Sequence, residues 1–230
     1  MAFQLAVFDI AGTTVSDPGF VAQAFAEAMA AAGHPIEAEA VRPLMGYPKP
    51  LAIRRLLGTS TSDALIERIH ADFVQRMLVC YRDWPGIEPL PGTESVFATL
   101  RAQGVRVALN TGFSRDIADA IVERLDWAGR IDALVASDEV PAGRPAPYMI
   151  QRLMADVGVD DARAVAKIGD TEVDINEGRN AGVGLVVAVT TGAFTRSELE
   201  VHAPDRIIDA LAGLPALLGL SSHAGASVAA

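Results

Sequence analysis

The sequence predicts an α/β fold: a doubly wound parallel sheet with an all-helical segment inserted after its first strand. Three observations carry this. Runs at residues 3–9, 105–110, 133–137, 165–170 and 183–190 are apolar on both faces, as in parallel strands covered by helices. Amphipathic segments alternate with these runs from residue 92 to 218. Between residues 16 and 88 the alternation stops, and only helical periodicity remains.

The first run ends in Asp9, followed by Ile10-Ala11-Gly12-Thr13-Thr14. In the helical stretch, Val21, Phe25, Ala28, Met29 and Ala32 form one stripe, closed by Gly33. A second long helix starts after Thr61-Ser62-Asp63 and presents Leu65, Ile66, Ile69, Phe73, Met77 and Tyr81. Boundaries are expected at 15–18 and 84–92, the latter rich in proline and glycine. This gives a discontinuous core of residues 1–15 and 89–220, a helical insertion of 16–88, and a frayed tail of 221–230. Helices are expected at 93–103, 115–128 and 147–157, the last with Met149, Ile150, Leu153, Met154 and Val157 on one face.

A chain of 230 residues can bury a core without disulfides or structural metal. Half of it is hydrophobic, which excludes disorder. A net charge of −10 argues against nucleic acid as a partner. Cys80, the single cysteine, follows Met77 at helical spacing and reads as a buried core thiol. Residues 1–15 lack the basic segment of a signal peptide, and no stretch reads as a membrane span, so a cytoplasmic location is expected. His34, His70, His202 and His223 lack metal-site spacing.

The chemistry lies at the strand ends, where open parallel sheets bind ligands. Asp9, Asn110-Thr111-Gly112 and Gly169-Asp170-Thr171-Glu172-Val173-Asp174 meet there. Three converging carboxylates, Asp9, Asp170 and Asp174, repel one another unless a cation joins them, and an all-oxygen set favours Mg²⁺. Asp170 and Asp174 would also suit simple capping of the next helix, but Asp9, closing a buried strand, would not.

At these residues the chain resembles the haloacid dehalogenase superfamily, over about residues 3–218. Asp9-Ile10-Ala11-Gly12-Thr13-Thr14 is similar to the first motif of its phosphonatase-like clade, with Ala11 where most superfamily phosphatases carry a second aspartate. Asn110-Thr111-Gly112-Phe113-Ser114-Arg115 resembles the second motif. Gly143-Arg144-Pro145 has the clade's arginine in place of the usual lysine. Residues 167–171 and 177–182 resemble the last motif, and Met45-Gly46-Tyr47-Pro48-Lys49 the cap segment with a Schiff-base lysine.

The resemblance implies a Rossmann-like core with a helical cap. It implies Asp9 as the nucleophile forming an aspartyl phosphate. Mg²⁺ would be held by Asp9, the Ala11 carbonyl and Asp170, with Asp174 behind them. Thr111 and Arg144 would grip phosphoryl oxygens. Gly12, Thr13, Gly46, Gly112 and Phe113 would line the substrate, a small phosphonate or phosphate. Dimerisation through the cap is one arrangement the resemblance leaves open.

Ala11 removes the group that protonates an alkoxide leaving group, help worth about 10²–10⁴-fold. An enamine leaving from a lysine iminium needs no such proton, and Lys49 would supply the amine once its pKa is lowered. Arg42, Arg54 and Arg55 lie near Lys49 in sequence and are candidates for tuning it. The pattern departs from the clade at Ala52, where a histidine is usual, at Gly19–Phe20, which lack its cysteine, and at Phe113 in place of tyrosine. The expected activity is C–P bond hydrolysis of a phosphonoacetaldehyde-like substrate. The alternatives are a phosphate-ester phosphatase of the same superfamily and an inactive phosphate-ligand sensor.

Overall fold

A computed structural model describes residues 2–220; the expected tail at 221–230 lies outside the described residues. Six parallel strands form one sheet in the order β3-β2-β1-β4-β5-β6. They are β1 (Leu5–Phe8), β2 (Arg106–Thr111), β3 (Ala133–Ala136), β4 (Val165–Gly169), β5 (Leu185–Val189) and β6 (Arg206–Ile208). Every residue of β1 and β4 is buried, as expected for central strands covered on both faces. β1 alternates between two cores. Ala6 and Phe8 join Leu109, Phe97 and Trp127 on one face. Leu5 and Val7 meet Met149, Ile150 and Leu153 on the other. Phe8 meets Phe97 edge-on at 5.2 Å between ring centres.

Helices α4 (Thr93–Ala102), α5 (Arg115–Arg124), α6 (Tyr148–Val157) and α7 (Glu172–Ala181) connect the strands. α5 stops four residues before the expected end: Asp126 takes a positive φ of 53° that the helix cannot continue through. β6 is absent from the sequence reading. Three residues are too few for a periodic signal, and this edge strand pairs only with β5.

Between β1 and α4 lie α1 (Phe20–Ala31), a 3₁₀ segment (Ala38–Leu44), α2 (Lys49–Leu57) and α3 (Asp63–Asp83). The two expected stripes are buried except Ala32 and Leu65, which are half-buried. They meet through Phe25 and Phe73, ring centres 5.6 Å apart. Ser62 caps α3 by accepting from the Leu65 amide. α2 was not expected as a helix of its own. Its prolines lie at the boundary and in the first turn, where a missing N–H costs nothing. Cys80 is half-buried at the margin of the core, so the fully buried thiol is corrected: its position on α3 lies between the buried face and exposed Val79.

The strand order reverses at β1, between β2 and β4, and this switch point places the ligand crevice beyond their carboxyl ends. Phe8 pairs with Leu109 and with Ile168, which brings Asp9, Asn110 and Gly169 to one level. Replacing Phe8 by alanine is expected to cost about 3–5 kcal/mol through the cavity it leaves. Urea unfolding will show this as a lower midpoint at unchanged slope.

Candidate active site

Asp9, Asp170 and Asp174 are buried, with carboxylate oxygens all within 4.8 Å of one another. Asp9 closes β1, and its amide donates to the Ile168 carbonyl at 2.9 Å. Asp170 follows β4; it accepts from the Thr13 hydroxyl at 2.9 Å and the Ala193 amide at 2.8 Å. Asp174 does cap α7, since Oδ2 accepts from the Thr171 amide and hydroxyl. Its other oxygen faces Arg144 at 3.0 Å and Lys167 at 2.9 Å, so capping is half of its role.

Arg144, fully buried, stands against Asp9. Its Nη1 donates to Asp9 Oδ1, Nε to Glu177 at 3.1 Å, and Nη2 to the Asn110 carbonyl at 2.7 Å and side chain. All three nitrogens are thus engaged by the protein. The guanidinium expected to grip a phosphoryl group thus also holds Asp9. Asn110 Nδ2 donates to both Glu177 oxygens at 2.9 Å, and Lys167 Nζ to Asn110 Oδ1 at 2.8 Å. Sequence reasoning assigned no role to Lys167 or Glu177. The signal was there: a lysine inside an apolar strand and a glutamate on the buried face of α7 are rarely buried unless paired.

Four buried carboxylates, Asp9, Asp170, Asp174 and Glu177, therefore face two buried cations, Arg144 and Lys167. Burial and the other acids push Asp170 well above the usual carboxylate range. Burial also raises Asp9, against the opposing pull of Arg144. Burial would raise Asp174 as well, but Arg144 and Lys167 outweigh it and hold that group low. The unbalanced charge and the all-oxygen donor set fit a divalent cation at Asp9, Asp170 and Asp174.

Lys49 begins α2 and is 3% exposed. Its Nζ is 5.2 Å from the Phe113 ring centre and 6.0 Å from that of Phe73, with a long 3.5 Å contact to the Tyr47 carbonyl. Burial lowers its pKa to about 8. The expected arginine neighbours are not the cause. Arg42 pairs with Glu198, Arg54 with Asp63, and Arg55 stacks on Tyr47.

Asp9, Ala11, Gly46, Lys49, Gly112, Phe113 and Asp170 line one cavity of about 20 Å³, so first strand, second motif, last motif and cap segment meet in one place. Thr13 reaches the site through Asp170, and Thr111 supports the loop below, its hydroxyl accepting from the Phe113 amide at 3.2 Å. Gly12 lines a neighbouring cavity of about 190 Å³ that shares Ala11, Met45 and Asp170. The insertion closes on the core through glycines. A Cβ on Gly112 would fall 2.6 Å from the Gly46 carbonyl oxygen, and one on Gly46, at φ +80°, would fall 2.5 Å from Thr171 Oγ1.

A family model for haloacid dehalogenase-like hydrolases matches residues 3–182. The chain belongs to the haloacid dehalogenase-like hydrolases. This hydrolase is 30% identical over 218 residues to the phosphonoacetaldehyde hydrolase of Bacillus cereus strain B4264, covering 87% of this chain and 82% of that one. It is 33% identical over 216 residues to that of Bacteroides fragilis, covering 86% and 80%. The crystal structure of a phosphonoacetaldehyde hydrolase-like protein from Oleispira antarctica superposes on the hydrolase with a TM-score of 0.82 at 24% identity, covering 95% and 92%. Among the described residues no helix is long and apolar enough to cross a membrane.

Two measurements check these electrostatics. Asp170→Asn removes a buried like charge, so in EDTA the variant is expected to be more stable than the wild type by about 1 kcal/mol. Mg²⁺ should raise the melting temperature of the wild type and leave that of the variant unchanged. Lys49 holds its proton more weakly in the folded than in the unfolded protein, so it adds stability as pH rises from about 8 to 10.5. Lys49→Met is expected to gain about 3 kcal/mol at pH 7 and to lose that rise, measured by urea unfolding across the range.

Proposed function

We propose that this hydrolase cleaves the C–P bond of a small carbonyl phosphonate of the phosphonoacetaldehyde type. Residues 16–88 act as its cap, and Lys49 forms the Schiff base. The observation that carries the reading is the burial of an amine of lowered pKa in the same small cavity as Asp9, with Ala11 also on its wall. An alkyl-phosphate hydrolase needs no buried amine there and would suffer from the missing acid at position 11.

The steps follow from the residues. Neutral Lys49 attacks the substrate carbonyl, and loss of water leaves an iminium. Asp9, aligned by Arg144, attacks phosphorus through its carboxylate. The C–P electron pair moves into a C=C bond, which neutralises the iminium nitrogen as an enamine, and the phosphoryl group passes to Asp9. Water then hydrolyses the aspartyl phosphate, and protonation and hydrolysis of the enamine free the aldehyde and Lys49. Mg²⁺ at Asp9, the Ala11 carbonyl and Asp170 would neutralise phosphoryl charge when bound. Phe113 and Phe73 keep the amine dry. Closure of the cap accounts for the small cavity, since 20 Å³ holds little more than a water molecule.

Incubation with phosphonoacetaldehyde and borohydride is expected to place a reduced adduct on Lys49, mapped by mass spectrometry. Lys49→Ala and Asp9→Asn should each lower phosphate release by at least about 10³-fold. Absence of both adduct and phosphate release excludes the reading. Turnover of phosphate esters that survives Lys49→Ala would assign the protein as a phosphatase.

A further inference from the structure

Schiff-base formation needs a group that takes the ammonium proton and returns it to the departing hydroxyl. No histidine occupies the first turn after Lys49: position 52 is a buried alanine. Lys49 feels three carboxylates, Asp9, Asp17 and Asp170. Asp9 is the proposed nucleophile and is tied to Arg144, and Asp170 is committed to Thr13, Ala193 and the cation site. Asp17 remains.

Asp17 lies on the link from β1 into the cap. Its Oδ1 accepts from the amides of Gly19 at 3.1 Å and Val21 at 3.3 Å, which fixes the carboxylate at the start of α1. Val21 is a wall of the cavity that holds Lys49. Asp17 itself lines the larger neighbouring cavity, which shares Ala11, Met45 and Asp170 with the inner one. The carboxylate thus touches Val21, a wall of the inner cavity, and borders an outer cavity that meets the inner one at Ala11, Met45 and Asp170. We propose that Asp17 is the acid–base partner of Lys49, moving the proton of Schiff-base formation through the outer cavity. This rests on the Schiff-base reading above.

The balance closes. The Lys49 ammonium gives one proton, relayed by water, to the Asp17 carboxylate. The neutral amine adds to the carbonyl and, by transfer of its own proton to the new alkoxide, becomes a carbinolamine. The Asp17 carboxyl then protonates the carbinolamine hydroxyl, which leaves as water while the nitrogen lone pair forms the C=N bond. An iminium and an Asp17 carboxylate result. Desolvation supports the exchange from both sides, raising the acidity threshold of Asp17 while lowering that of Lys49. The other charged side chains on the walls of the outer cavity are Asp170, Glu39 and Arg42, the last paired with Glu198.

The test compares wild type, Asp17→Asn and Asp17→Glu in two assays. The first is the rate of borohydride-trapped adduct on Lys49 with phosphonoacetaldehyde. The second is phosphorylation of Asp9 by acetyl phosphate, which needs no Schiff base. Asp17→Asn is expected to slow adduct formation at least about 10-fold, with Asp9 phosphorylation within twofold of wild type. Asp17→Glu, or added formate with Asp17→Asn, should restore part of the adduct rate. Equal adduct rates in wild type and Asp17→Asn overturn the role of Asp17 and leave the Schiff base standing. Equal losses in both assays overturn it in favour of a structural role. No adduct on wild-type Lys49 overturns the Schiff-base reading and this inference with it.

Discussion

Excess negative charge buried at the end of a parallel sheet is the constraint on which this site depends. β1 and β4 deliver Asp9 and Asp170 side by side because their registers match at Phe8 and Ile168. Isolated, such a pair could not stay ionised in a dry interior. Arg144 and Lys167 answer part of the charge, and both are themselves fully buried, so neither could be there without the acids. The result is a network in which each member justifies the next: Glu177 holds Arg144 and Asn110, Asn110 accepts from Lys167, and Arg144 holds Asp9. What it leaves unbalanced is the charge of a divalent cation.

The second half of the chemistry comes from the other side of the crevice. Lys49 is carried there by a helix that begins where the insertion touches the core, at Gly46 and Pro48 over Gly112 and Gly143. Contact between backbones brings the amine close to Asp9 without a long side-chain reach. The same closeness leaves an inner cavity of only about 20 Å³, and the proposed function requires the insertion to lift before a substrate enters. The polar links that resist lifting are modest. Arg42 to Glu198 is a partly exposed pair, and Tyr47 to Glu172 a single hydrogen bond of 2.6 Å. Exposed pairs contribute about 1 kcal/mol or less, which would suit an insertion that opens during turnover as the proposed function requires.

Much of this was legible from residue order. Five of six strands, the helical insertion and the convergence of Asp9, Asp170 and Asp174 follow from two-sided apolar runs that end in acids. The rest was hidden for physical reasons. β6 is too short to show a period. α2 is masked by prolines that read as loop yet belong at a helix start. The protein partners of Arg144 were not foreseen, because a motif names a residue type without saying which acceptors surround it. A lowered pKa at Lys49 was expected, but not the groups that surround it: the two phenylalanines are brought there by α3 and the β2–α5 loop, remote in sequence. Charges that neutralise one another across a fold are non-local, and no window of sequence contains both partners.

Ala11 joins the two halves. It borders both the cavity of Lys49 and the outer cavity of Asp17. An aspartate here would add a fifth carboxylate to a cluster already short of positive charge. It would also face Lys49, whose affinity for its proton is already raised by Asp9, Asp17 and Asp170 against the effect of burial. One more acid would push the amine back towards its ordinary value and make its proton harder to remove. On the proposed reading, the same methyl side chain both removes the acid that an alkoxide leaving group requires and keeps the lysine proton easier to remove, so that the amine can make such an acid unnecessary. On the proposed reading, a general acid at position 11 would work against a nucleophilic lysine at position 49 by raising its pKa.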